Sequence, residues 1–143
     1  MEKIITQSEK ETILLGKAIA SACQGGEVFG LTGNLGAGKT CLTKGLAKGL
    51  GIKGIINSPT FVIMKVYNLK KKNIKKFCHI DAYRLQTAGD LEAIGASEYF
   101  NRPDTVTVIE WAENVKKLLP KETIIIKLQA KNNSQRVITI KKY

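Results

Sequence analysis

The chain has 143 residues, with 23 lysines and arginines against 12 aspartates and glutamates, one histidine and three cysteines. This length suits one domain over residues 1–143 with a hydrophobic core, and no apolar run reaches the ~18 residues of a membrane-spanning helix. The first residues lack the basic and then apolar layout of a signal peptide. Cys23, Cys41 and Cys78 are widely spaced and form no C-x-x-C pair, which argues against a disulfide framework or a zinc site. We therefore expect a cytoplasmic protein with reduced thiols.

The chain begins with a predicted edge strand and a helix. Ile4–Thr6 is short and apolar enough for the strand. Ser8 and Glu11 then have the spacing of a capping box, in which side chains satisfy backbone amides of the first helical turn. The helix is predicted to run to about Cys23, before a pair of glycines ends it.

The next segment carries a specific motif. Residues 33–40 read GNLGAGKT and fit G-x-x-x-x-G-K-[ST], a loop whose backbone amides wrap nucleotide phosphates. Glu27–Thr32 before it reads as an apolar strand, and Cys41–Gly51 after it reads as a helix with a cap glycine at its end. An ordinary glycine-rich turn is much the weaker interpretation of a complete motif in this context. In such a loop Lys39 bridges the β- and γ-phosphates, and the hydroxyl of Thr40 ligates Mg²⁺.

The remaining elements alternate between strands and helices. Two neighbouring pairs of strands each predict an antiparallel hairpin, residues 86–100 are predicted to be helical, and a buried strand precedes a short helix ending near Pro120. The predicted strands are Phe61–Tyr67, Ile74–Ile80, Val106–Ile109, Thr123–Leu128 and Arg136–Lys142. Together they predict an α/β fold with a P-loop NTPase-like sheet: a parallel core, antiparallel strands added to it, and helices on both faces.

Two acidic residues follow apolar strands. Asp81 ends the segment Phe77–Ile80, and Glu110 ends Val106–Ile109. Open α/β sheets bind ligands at the carboxyl ends of their strands, and hydrolysis of a nucleotide needs a carboxylate for Mg²⁺ there. Either residue alone is equally consistent with a helix cap or a surface acid, but two of them in a chain with this loop favour a functional site.

Four further features carry weaker signals, and two of them admit two interpretations. Ser58–Thr60 is either a switch-like loop that senses the γ-phosphate or a proline turn leading into the next strand. His79 is either functional or a half-buried histidine of its strand. Trp111 is more typical of a core, and Arg84 is a candidate for neutralising charge on a substrate.

The net charge of +11 comes mainly from lysine. A basic protein of this size is able to bind RNA or an acidic partner. The densest run, Lys70–Lys76, lies between two predicted strands and is also consistent with a solvated hairpin turn. Charge alone leaves both possibilities open.

Four motifs together resemble one family. They are GNLGAGKT at residues 33–40, SPTF at 58–61, HIDAYR at 79–84 and IEW at 109–111. This set resembles the TsaE (formerly YjeE) family, small bacterial ATPases required for making N6-threonylcarbamoyladenosine at position 37 of tRNA. The resemblance covers nearly the whole chain, and the H-x-D-x-Y-R and E-W signatures are far more specific than the phosphate loop.

The resemblance implies ATP and Mg²⁺ as cofactors and a particular set of site residues. Nucleotide-binding residues would be Glu9, Gly33, Gly36, Ala37, Gly38, Lys39, Thr40, Cys41 and Trp111, with Glu9 near the adenine. Catalytic residues would be Lys39, Thr60, Asp81 and Glu110, with Thr40 and Glu110 holding the metal. Asp81 would organise the metal or position water, and Thr60 would be the switch-loop contact.

The resemblance also implies partners: a TsaD–TsaB heterodimer that supports repeated turnover, with weak hydrolysis by the chain alone. It implies no membrane, and it leaves open whether tRNA touches this subunit directly.

Two alternative enzyme classes are disfavoured by the sequence. Three scattered arginines argue against the arginine-rich lid of a small P-loop nucleotide kinase. The absence of an N-K-x-D or D-x-x-G motif argues against a GTPase. A nucleotide-gated binding module with incidental hydrolysis remains open.

Overall fold

The computed structural model describes residues 1–54, 56 and 63–142. Seven strands alternate with four α-helices and a 3₁₀ helix. The strands are β1 Glu2–Thr6, β2 Val28–Thr32, β3 Met64–Asn68, β4 Lys76–Asp81, β5 Thr105–Glu110, β6 Ile124–Ala130 and β7 Arg136–Lys142. The α-helices are α1 Glu9–Ser21, α2 Lys39–Gly49, α3 Ala88–Ala93 and α4 Ser97–Phe100, and the 3₁₀ helix is Ala112–Leu118.

The strands form one mixed sheet in the order β1-β7-β6-β2-β5-β4-β3. The four central strands, from β6 to β4, are parallel, and β3, β7 and β1 pair antiparallel at the two sides. Every residue of β5 is buried, as expected for a parallel strand covered on both faces. The predicted mixed sheet, its two hairpins and the edge strand near the N-terminus are confirmed; residues 61 and 62 of the third predicted strand lie outside the described residues.

Side chains of the sheet alternate between two hydrophobic clusters. Phe29 and Leu31 of β2 belong to one cluster, together with Leu46 of α2. Val28 belongs to the other, together with Leu91 of α3 and residues of the 3₁₀ helix. Because successive residues of a strand point to opposite faces, helices cover both faces of the sheet as predicted.

Helices α1 and α2 approach closely because glycines face each other. A Cβ added at Gly45 would lie 2.1 Å from the carbonyl oxygen of Ile13, and one at Gly16 would lie 2.5 Å from that of Leu42. Neither contact leaves room for a side chain. This packing holds α2 so that its first turn lies beside the carboxyl end of β2.

Both helices differ slightly from their predicted bounds. Ser8 caps α1 by accepting from the Glu11 amide, but the Glu11 carboxylate accepts from the Gln7 amide, one residue before the position of a standard capping box. The helix ends at Ser21, two residues early, because the amides after it turn back to carbonyls three residues away, which tightens the last turn. Helix α2 begins at Lys39, inside the predicted loop, and Gly51 follows its end with a φ of 91°, as predicted for a cap glycine.

The predicted helix over residues 86–100 is wrong as one element. It is two short helices, α3 and α4, separated by Gly95 with a φ of 77°. That left-handed backbone ends the first helix and changes the chain direction.

Among the described residues, no helix combines the length and apolar character needed to cross a bilayer.

Candidate active site

A cleft of about 330 Å³ opens where the loop after β2 meets the ends of β4 and β5. It gathers most residues singled out from the sequence: Glu9, Gly36, Ala37, Gly38, Lys39, Thr40, Cys41, Asp81, Glu110 and Trp111. Gly33 belongs to the same loop but lines a neighbouring cleft. Thr60, with Ser58 and Pro59, lies outside the described residues.

The glycines of residues 33–40 have backbone conformations that other residues rarely adopt. Gly33 has a φ of 143°, and a Cβ there would lie 2.3 Å from the carbonyl oxygen of Leu128 on β6. Gly38 has a φ of 103° and occupies the N-cap position of α2. Because glycine has no side chain to accept the first amides of a helix, these amides and the positive end of the helix face the cleft, an arrangement suited to an anion.

Lys39 is the buried cation of this cleft, with 5% of its surface exposed. Its Nζ donates to the carbonyl oxygens of Gly33 and Asn34, the second at 2.9 Å, and lies 3.8 Å from the centroid of the Trp111 ring. Burial lowers the pKa of Lys39, and the carboxylates around it oppose this, led by Glu113. The ammonium is thus held by neutral carbonyls and an aromatic face.

Thr40, Glu110 and His79 form a chain of hydrogen bonds from α2 into the sheet. The Thr40 hydroxyl donates to Oε1 of Glu110 at 2.9 Å, and Oε2 of Glu110 lies 2.5 Å from Nε2 of His79. A carboxylate only accepts, so Nε2 carries the proton. His79 is fully buried, and within the described part of the chain its Nδ1 has no hydrogen-bond partner. The histidine is therefore buried beneath the cleft, where it orients Glu110.

Asp81 is the second carboxylate of the cleft. Its Oδ1 accepts from the Tyr83 amide at 2.9 Å. Burial raises the pKa of Asp81, and the nearby Glu110 adds to the rise, although the Tyr83 amide, His79 and Lys39 oppose it. The charged form of this aspartate is therefore less stable in the folded chain than in the unfolded one.

This raised pKa predicts that Asp81→Asn stabilises the protein at pH 7. A group with a raised folded pKa contributes stability below its unfolded pKa of 3.8 and loses that contribution as the pH rises through the folded pKa. The gain should therefore shrink as the pH falls toward 3.8. Asp104→Asn is the matched control and should instead destabilise the protein at pH 7, because the hydrogen bond from Arg102 lowers the pKa of Asp104. Urea unfolding of both variants at pH 7 and pH 4 tests this; an unchanged or lower midpoint for Asp81→Asn at pH 7 would refute it.

Trp111 has the only positive φ of a non-glycine residue among the described residues, at 58°. A left-handed conformation costs an ordinary residue about 1–2 kcal/mol. Its ring packs against Tyr83, with centroids 4.9 Å apart, and against the ammonium of Lys39. Strain of this kind is concentrated at functional sites, and here it directs the indole over the loop cation.

Comparison with known proteins assigns the family. The sequence model described as "Threonylcarbamoyl adenosine biosynthesis protein TsaE" matches residues 6–138. The chain belongs to the TsaE family. This family takes part in the biosynthesis of threonylcarbamoyladenosine in tRNA.

Individual TsaE proteins match over most of their length. The tRNA threonylcarbamoyladenosine biosynthesis protein TsaE of Bacillus subtilis is 40% identical over 134 residues, which cover 94% of this chain and 81% of that protein. The protein of the same name from Treponema pallidum is 38% identical over 96% of this chain and 98% of its own. The crystal structure of Bacillus subtilis YdiB superposes with a TM-score of 0.77 at 35% identity, covering 97% of this chain and 83% of that one.

The cleft of this TsaE-family chain contains a residue that the sequence did not indicate. Arg136, at the start of β7, lines it, and Nη2 of this arginine donates to the carbonyl oxygen of Gly36 at 3.1 Å. No local pattern marks Arg136, because the β6–β7 hairpin brings it to a loop 100 residues earlier. Arg84, the arginine considered for charge neutralisation, is exposed and is not among the residues that line the cleft.

Cys41 and Glu9 lie together at one side of the cleft. Burial raises the pKa of the Cys41 thiol, and the carboxylate of Glu9 adds to this effect. A thiol with a raised pKa stays protonated and is a poor nucleophile. Cys41 therefore contributes its backbone and its volume to the site.

Proposed function

We propose that this chain is a Mg²⁺-dependent P-loop ATPase that supports tRNA threonylcarbamoyladenosine formation together with TsaD and TsaB family proteins. The observation that carries the proposal is the convergence of Lys39, Thr40, Asp81 and Glu110 on one cleft at the carboxyl ends of parallel strands. Phosphoryl transfer needs a cation, a metal site and a carboxylate in this arrangement.

The loop is suited to bind the phosphates of ATP. Its amides from Gly36 to Cys41 and the positive end of α2 offer hydrogen bonds to an anion. Lys39 would exchange the neutral carbonyls of Gly33 and Asn34 for phosphate oxygens, which are stronger acceptors of a charged donor. Arg136 adds a second positive charge beside Gly36.

Thr40 and Glu110 fit a magnesium site. Their side-chain oxygens lie 2.9 Å apart, and hydroxyl and carboxylate oxygens are ligands that Mg²⁺ accepts. No group of three or more His, Cys, Asp or Glu side chains that could hold a metal occurs in the described ranges, which agrees with an ion that takes its remaining ligands from phosphates and water. When bound, Mg²⁺ would neutralise charge that develops on the phosphate oxygens.

Asp81 is the candidate for positioning the attacking water or organising the metal. It lines the cleft and neighbours Glu110 in the register of β4 and β5. Thr60 would contact the γ-phosphate. We propose that the TsaD–TsaB pair completes the site, and that the chain alone hydrolyses ATP slowly.

An ATPase assay of the purified chain with and without the TsaD–TsaB pair tests this function. We expect slow, Mg²⁺-dependent hydrolysis alone and a rise of about 10³-fold with the pair, the lower end of what partner-supplied groups contribute in P-loop enzymes. GTP serves as the control nucleotide and should be hydrolysed more slowly. Equal and rapid rates with and without the pair would refute the partner-dependent mechanism, and equally fast GTP hydrolysis would refute the preference for adenine.

A further inference from the structure

Positive charge is concentrated in one part of the chain. Residues 28–80 contain ten lysines and no aspartate or glutamate. Four of these lysines, Lys70, Lys71, Lys72 and Lys75, lie in the connection between β3 and β4, and we call them the lysine turn. Neither nucleotide binding nor hydrolysis in the cleft requires this concentration of positive charge in the turn.

The lysine turn is a fixed structure. Leu69 and Ile74 are buried in the core beneath it. The Leu69 amide donates to the Lys75 carbonyl, and the Lys75 amide donates to the Asp104 carbonyl, both at 2.7 Å. The turn is thus anchored on both sides, and it presents the exposed side chains of Lys70, Lys72 and Lys75 and the half-buried side chain of Lys71.

Structural roles account for two neighbouring lysines but not for the turn. Lys65 lies on the edge strand β3, where a charge discourages pairing with another chain. Lys76 donates to the side chain of Asn68 at 2.9 Å. Lys75 donates one hydrogen bond to the Lys71 carbonyl, which leaves two of its three protons. Across the described residues, the ion pairs are His79–Glu110 and Arg102–Asp104, and neither involves the turn.

The composition of this surface favours a phosphate backbone over a protein partner. Protein interfaces have an apolar or aromatic centre. The large apolar side chains exposed in the described part of the chain are Met1, Ile5, Leu14, Leu35 and Tyr83, and none belongs to the turn. Lysines without such a centre are suited to contact phosphates, which need charge and no particular shape.

The turn lies at the opposite end of β4 from the cleft. The five-residue step from Lys76 to Asp81 spans about 17 Å of extended strand. Two carboxylates at the end of the turn are already engaged: Glu27 accepts from the amides of Gln24 and Gly25, and Asp104 pairs with Arg102. We propose that the lysine turn binds the sugar–phosphate backbone of RNA, and that this contact leaves the cleft open. The proposal goes beyond ATP hydrolysis and does not depend on it.

Binding of an unmodified tRNA transcript at several salt concentrations tests the proposal. The turn variant K70Q/K71Q/K72Q/K75Q is compared with K3Q/K17Q/K116Q/K117Q, which loses the same charge at exposed positions elsewhere. We expect saturable binding by the unaltered chain. The turn variant should lose at least about tenfold in affinity and lower the slope of log affinity against log salt by about 3, because four phosphate contacts each contribute ~0.7–0.9. The control should change the slope by less than about 1.

Three outcomes would overturn the proposal. The first is that the unaltered chain does not bind the transcript, and the second is that both quadruple variants lose affinity equally. The third is that the turn variant keeps its RNA affinity but no longer associates with the TsaD–TsaB pair. That last result would make the turn a protein-docking surface. Circular dichroism checks that both variants are folded. The hydrolysis rate of the chain alone should be unchanged in the turn variant, so this result is separate from the test of the ATPase function.

Discussion

Replacing Lys39 with alanine is expected to lower ATP hydrolysis by about 10²–10³-fold and to weaken ATP binding, because it removes the one buried cation of the described cleft. The effect should be large because the Lys39 ammonium is already positioned to contact phosphates. Two loop carbonyls and the Trp111 ring hold it in the same loop as the amides that would bind the anion. Hydrolysis rates and nucleotide affinity of Lys39→Ala measure it directly.

Lys44→Ala is the matched control for that variant. Lys44 lies one turn further along α2 and does not line the cleft. If the loop lysine acts on the phosphates, Lys44→Ala keeps nearly full activity while Lys39→Ala does not. Similar losses in the two variants would mean that general charge, rather than a contact in the cleft, binds the nucleotide.

Replacing Glu110 with glutamine is expected to lower the hydrolysis rate by about 10²–10³-fold while ATP binding changes little. Glutamine keeps the size of the side chain and an acceptor for Thr40, but it removes the negative charge proposed to hold Mg²⁺. Single-turnover hydrolysis over a range of Mg²⁺ concentrations separates the loss of metal affinity from the loss of rate. Glu98→Gln, which removes an exposed carboxylate on α4 that does not line the cleft, should stay within a few-fold of the unaltered chain.

The same variant decides between hydrolysis and the binding-module alternative. If Glu110→Gln binds ATP, fails to hydrolyse it and no longer supports repeated tRNA modification by the TsaD–TsaB pair, hydrolysis is the function. If repeated modification continues at the normal rate, ATP occupancy alone is sufficient and the nucleotide-gated module is correct.

Much of the site could be predicted because its residues are local to strong patterns. The G-x-x-x-x-G-K-[ST] motif needs a strand before it and a helix after it, and β2 and α2 are in those places. Asp81 and Glu110 each end a parallel strand, and the carboxyl ends of neighbouring parallel strands meet at one edge of the sheet. Their convergence therefore follows from the topology that the alternating elements predict.

Features that depend on strand register could not be predicted. The sequence left His79 open between a half-buried strand residue and a functional one, whereas the structure buries it fully and bonds it to Glu110. That contact needs the pairing of β4 with β5, which no single segment encodes. Arg136 enters the cleft only through the closure of the β6–β7 hairpin.

Local backbone conformation was the other reason why the structure differs from the prediction. Residues 86–100 were predicted to be one helical segment, and only the left-handed conformation of Gly95 shows that the segment is two helices. Trp111 was predicted to be more typical of a core, and its side chain does pack against one core cluster; its positive φ also directs the ring to Lys39. A positive φ at a tryptophan is set by tertiary contacts rather than by propensity.

Equilibrium dialysis with labelled ATP measures whether this cleft is a nucleotide site. In the presence of Mg²⁺ the chain should bind one ATP, with weaker binding when the metal is chelated and strong loss in Lys39→Ala. The absence of saturable binding, or equal binding by Lys39→Ala, would mean that the cleft is not a nucleotide site.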